Sequence, residues 1–66
     1  MRFKITFELA DKVENGKEDR HSETVDASDQ DSALAMAREI MYKKRPELLL
    51  MDEACHHSER IPYEEN

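Results

Sequence analysis

Residues 52–59, DEACHHSE, hold the only cysteine, Cys55, and two of the three histidines, His56 and His57, with carboxylates on both sides. Thiolates, imidazoles and carboxylates bind transition metals, and a cysteine beside a histidine is the start of a thiol nucleophile and its base. Zinc takes about four ligands in a tetrahedral array. On a strand, Cys55 and His57 share a face while His56 points the other way. Only His21 could add another nitrogen. Cys55, His57 and His21 would then need a symmetric dimer to complete a metal centre. A thiol nucleophile needs a base in reach, an orienting group and an oxyanion hole. Neighbours along a strand do not face one another, no glycine-rich turn is present, and so short a chain has little room for a substrate cleft. The expectation is a protein without enzymatic activity and without a cofactor or metal of its own. Cys55 then acts as a small, partly buried apolar residue, and the histidines face solvent.

The elements that carry this stretch must come from 66 residues, enough for one domain. A chain of that size buries only about 60% of the surface it exposes when unfolded. A lone thiol has no intrachain partner and fits a reducing compartment, so the expected location is the cytoplasm. No apolar run of about 18 residues is present to span a membrane, and MRFKITFEL alternates rather than forming a signal-peptide core.

Sixteen acids against ten bases leave a net charge of −6. Residues 8–31 carry nine acids and three bases, and residues 46–66 carry six acids and one base. Basic residues gather only at Arg38, Lys43, Lys44 and Arg45. Direct binding to DNA or RNA needs a broader basic footprint and is not expected.

Phe3, Ile5, Phe7 and Leu9 alternate with Arg2, Lys4, Thr6 and Glu8, the period-2 pattern of a strand with one dry side. Asn15-Gly16 marks a hairpin. A two-residue loop would turn Thr24 and Asp26 toward the phenylalanines. A three-residue loop, Glu14-Asn15-Gly16, pairs Val13 with Lys17 and places Val25 beside Ile5 and Ala27 beside Phe3. Burying Asp26 is costly, so the three-residue loop with Gly16 left-handed is favoured. The charged tip, residues 10–20, then projects into solvent.

SDQDSALAMAREIMYKKR reads as a helix. Ser28 is its expected N-cap, with Asp31 closing a capping box. Ala33, Ala37, Ile40 and Met41, with Leu34 or Met36 beside them, form the apolar stripe. Pro46 ends it. Residues 47–58 read either way. Leu, Met, Glu and Ala favour helix by propensity, whereas a two-stranded sheet is marginal and calls for a third strand at Leu48–Met51. The strand is preferred. The expected fold is α+β, with β-β-α-β connectivity. Its three-stranded antiparallel sheet has order 2-1-3, with one helix on one face. Residues 1–62 form the single domain and 63–66 a frayed acidic tail. On the strand reading, Leu48 and Leu50 oppose Leu49 and Met51. One pair must lie on the open face as a small apolar patch, extended by Tyr42 and Tyr63.

Glu18, Asp19, Glu23, Asp26, Asp29, Asp31, Asp52 and Glu53 are the candidate partner-binding residues, an acidic surface suited to a basic groove. DASDQD lacks the glycine and closing glutamate of a calcium loop and serves better as a helix cap. In length, acidic surface and hairpin–helix–strand plan, with VDASDQDSALAMA entering the helix, the chain resembles the small acidic inhibitors that phages direct at host defence, the anti-CRISPR proteins. That resemblance implies a non-enzymatic inhibitor in the host cytoplasm, docking as a nucleic-acid mimic on a protein or ribonucleoprotein partner with a basic surface. The alternative is a small homodimeric structural or regulatory protein joined through the open sheet face or an edge strand. Monomer and homodimer both remain open at this point.

Overall fold

The computed structural model describes residues 1–11 and 16–62. The Glu14-Asn15 portion of the expected turn, Tyr63 and the acidic tail lie outside the described residues.

Strand β1, Arg2–Ala10, is the spine of the molecule. Its alternation is realised in full: Phe3, Ile5, Phe7 and Leu9 are buried, and Ile5 and Phe7 have no exposed surface. Strand β2, Glu18–Asp26, lies antiparallel to it, and Phe3 faces Val25 while Ala10 faces Glu18. The expected parity holds, with odd residues facing odd, but the register differs by two. Asp11 N–H donates to Lys17 O at 3.0 Å, so Lys17 pairs with Asp11 and not with Val13. A two-residue shift leaves every side chain on its own face. Val25 is the single large apolar residue of β2, so the pattern alone cannot separate the two registers. Gly16 has φ +92, the left-handed backbone expected of it.

Helix α1, Gln30–Lys44, is capped by Asp29 and not by Ser28. Asp29 Oδ1 accepts from Ser32 N–H at 2.8 Å. A carboxylate at this position answers the positive end of the helix dipole more strongly than a hydroxyl does. Ala33, Ala37 and Met41 are fully buried, with Leu34 and Ile40 packed beside them; Met36 is exposed. The two alanines let the helix axis approach the sheet, mainly over β2 and β1. Arg45 closes the helix with its N–H on Met41 O at 2.8 Å.

Pro46–Leu50 is a 3₁₀ helix, which overturns the strand expected at Leu48–Met51. Residues three apart share a side in a 3₁₀ helix. Leu48 is therefore buried and Met51 packs against the core, while Leu49 and Leu50 stand in solvent, 64% and 84% exposed. The expected apolar patch lies on this turn and not on the sheet. Tyr42 does not extend it, because its hydroxyl is turned to Glu53.

The third strand comes later than expected. Strand β3, Asp52–Ile61, pairs antiparallel with β1 and completes the order β2-β1-β3. The α+β architecture is thus the expected one, with DEACHHSERI and not the leucine run as its last strand. Both readings of residues 47–58 are partly right: the leucines turn as a short helix, and the residues after Met51 extend. Within β3, Leu9 faces Glu53 but Glu8 faces Cys55, so Ala54 is an extra residue in the ladder, a bulge. No residue of β3 belongs to the buried core. Among the described residues, no helix is long and apolar enough to cross a membrane.

Candidate functional site on the open face of the sheet

Helix α1 covers one face of the sheet and leaves the other to solvent. The bulge decides which residues of β3 reach the open side. In unbroken alternation Glu53, Cys55 and His57 would share one face. The extra residue at Ala54 keeps Glu53 on the helix side, opposite Leu9, and turns Cys55 and His57 to the side of Glu8 and Thr6. His56, opposite Phe7, takes the helix side. His21 also faces that side, opposite Phe7 across β2, where its Nε2 lies 2.7 Å from Glu23 Oε2. The sheet therefore separates His21 from Cys55 and His57, and that trio does not assemble within the chain.

Glu8 takes the place expected of His21. His57 Nε2 lies 3.0 Å from Glu8 Oε2, and Cys55 Sγ lies 3.8 Å from the same nitrogen. One ligand atom from each of the three residues falls within 4.8 Å of the others. The signal for Glu8 was present in β1, where it is the single acid on an outward face otherwise made of Arg2, Lys4, Thr6 and Ala10. Reading it required the register of β3. Arg20, across β2, brings its Nη2 to 3.7 Å from Glu8 Oε2.

The arrangement is not a proton relay. A thiol–imidazole–carboxylate triad uses both ring nitrogens, one toward the nucleophile and one toward the carboxylate. Here a single Nε2 serves both contacts. Local desolvation and the Glu8 charge also push the Cys55 thiol up, away from the thiolate. The same convergence is suited to chelation, with sulfur, nitrogen and oxygen directed at one locus.

The eight acids expected to meet a partner are divided by the fold. Asp19 is held by the Arg45 guanidinium, Glu23 by Lys44 at 3.0 Å and by His21, and Glu53 by Arg38 and Tyr42. These are helix-side contacts. The Arg45 hydrogen bond holds the Asp19 carboxyl below its ordinary range. Partial burial would raise Glu23 and Glu53, but their hydrogen bonds from His21 and Lys44, and from Arg38 and Tyr42, outweigh it and lower both. Asp29 is occupied as the helix cap. Asp26 lies 3.9 Å from Arg2. Glu18, Asp31 and Asp52 are exposed. Glu18 and Asp52 flank Ala10 from opposite strands on the open face. Beside them is a shallow groove of about 420 Å³, lined in part by Ala10, Ala54, Glu18 and Asp19, with Arg20 at its side.

No family model matches this chain, and neither a curated protein nor a solved structure does.

Proposed function

We propose that this chain is a non-enzymatic binding protein that docks on a basic surface of a macromolecular partner. The observation that carries the reading is the placement of Glu18 and Asp52 on either side of Ala10, on the face that the helix leaves uncovered. The groove beside them carries Glu8, Glu18 and Asp19 in its lining, with the small side chains of Ala10 and Ala54 between, which suits an arginine or lysine of the partner. Arg20 limits the acidity of that groove on one side. The acids of the helix side hold the fold together instead. The partner chemistry is a basic, nucleic-acid-handling protein or ribonucleoprotein, and the protein occupies the place of nucleic acid as an anti-CRISPR inhibitor does. It acts in the cytoplasm of the host cell.

The experiment is a competition on CRISPR effector ribonucleoproteins, with occupancy of labelled target DNA as the readout. Added protein lowers occupancy, and its effect weakens as salt rises because exposed charges are screened. The double variant Glu18→Lys, Asp52→Lys loses the effect, while Asp31→Asn keeps it. Unchanged occupancy, or inhibition indifferent to both salt and charge reversal, refutes the reading.

A second reading rests on β3 itself. It is a ten-residue edge strand that, among the described residues, pairs only with β1, and contributes no apolar side chain to the core. Such an edge offers backbone groups to a second copy. Light scattering over a dilution series separates the two: a dimer persisting at micromolar concentration favours assembly, a monomer favours docking.

A further inference from the structure

We propose that Glu8, Cys55 and His57 form a binding site for a single divalent transition-metal ion of the zinc type. The claim stands on geometry and goes beyond the docking role. Tetrahedral zinc with ordinary bond lengths sets sulfur and nitrogen about 3.6 Å apart and nitrogen and oxygen about 3.4 Å apart. Cys55 Sγ and His57 Nε2 are 3.8 Å apart, and His57 Nε2 and Glu8 Oε2 are 3.0 Å apart. All three donor atoms lie within 4.8 Å of one another, and the His57 and Glu8 side chains are 64% and 38% exposed, so side-chain rotation would bring the separations to the chelating values.

Without a metal, Glu8 gathers the cluster by hydrogen bonding, accepting from His57 Nε2–H at 3.0 Å and from the Cys55 thiol. A cation at the shared focus takes the place of those protons and is attracted by all three atoms at once.

The backbone is also adapted to the cluster. Without the bulge at Ala54, Cys55 and His57 would face away from Glu8. Bulges re-aim side chains at the cost of a ladder position. The donor set selects the ion. Thiolate and imidazole disfavour calcium and magnesium and favour zinc, and three protein ligands leave the fourth position to water. Arg20 competes for Glu8, but its side chain is 70% exposed and free to swing out.

The probe is cobalt(II), which reports thiolate ligation by absorption, followed by its displacement with zinc(II). The expected result is one cobalt per chain, with a thiolate-to-metal charge-transfer band and the intense visible bands of tetrahedral cobalt. Cys55→Ser abolishes the charge-transfer band. His57→Gln and Glu8→Gln each weaken zinc by more than the roughly 10–100-fold typical of losing an outer-shell partner. Arg20→Ala tightens it severalfold, because it removes a competing cation. His21→Gln, on the opposite face, leaves affinity unchanged. All five substitutions are at sites outside the buried core, and circular dichroism checks each fold. If His57→Gln fails to fold, Cys55→Ser carries the test. No charge-transfer band in the wild type, or equal zinc affinity in Cys55→Ser, overturns the site.

Discussion

Arg38 donates two hydrogen bonds to Glu53, Nε to Oε2 at 2.9 Å and Nη2 to Oε1 at 3.0 Å. This fork joins the middle of α1 to the start of β3, a strand that supplies nothing to the apolar core. Tyr42 donates to the same carboxylate at 2.9 Å, and the Arg38 guanidinium sits 5.8 Å above the Phe7 ring. The edge strand is therefore attached to the helix by polar contacts, in addition to its ladder with β1.

Removing the Glu53 charge weakens that attachment. Glu53→Gln keeps the shape and loses the charge-assisted fork, and destabilises the fold by about 1–2 kcal/mol. The lower end applies because the Arg38 side chain is 40% exposed and screened by water. Urea denaturation measures the loss. Native-state hydrogen exchange should show the β3 amides opening earlier than those of the β1–β2 ladder.

Stability falls in acid. Asp19, Glu23 and Glu53 all have carboxyls lowered by their partners. The unfolded chain then binds more protons than the folded one as pH falls through the ordinary carboxylate range near 4. Their contribution is present above that range and is lost as pH drops through the folded values. Thermal melts should be nearly flat from about pH 7 to 5 and decline below. Glu53→Gln has a shallower decline than the wild type.

The helix cap distinguishes two adjacent residues. Asp29→Ala removes the acceptor for Ser32 N–H and costs about 1 kcal/mol, whereas Ser28→Ala costs little. In a domain of this size, about 1 kcal/mol moves the melting temperature by roughly 4–8 °C, so calorimetry resolves the two variants.

The leucine run gives the sharpest contrast. Leu48 is buried and Leu50 is 84% exposed. Leu48→Ala costs about 2–5 kcal/mol, which threatens folding in so small a domain. Leu50→Ala leaves stability within about 0.5 kcal/mol. Equal effects would restore an alternating strand and contradict the 3₁₀ turn.

The sequence by itself determined the central strand, the helix and its stripe, the parity of the hairpin and the strand order. The first three follow from local periodicity or from the cost of burying a charge; the strand order follows from the need for a third strand and from β1 being the most apolar strand, which belongs in the centre. It also placed Cys55 and His57 on one face. Tertiary structure alone decided the rest. The leucines could turn or extend with similar local preference, and packing of Leu48 and Met51 under the helix chose the turn. That displaced the third strand onto DEACHHSERI, whose own pattern contains no apolar face. Register, set by β1, then placed Glu8 beside His57 and Glu53 beneath Arg38. Contacts 49 and 15 residues apart arise from pairing and packing between elements, and no spacing along the chain encodes them.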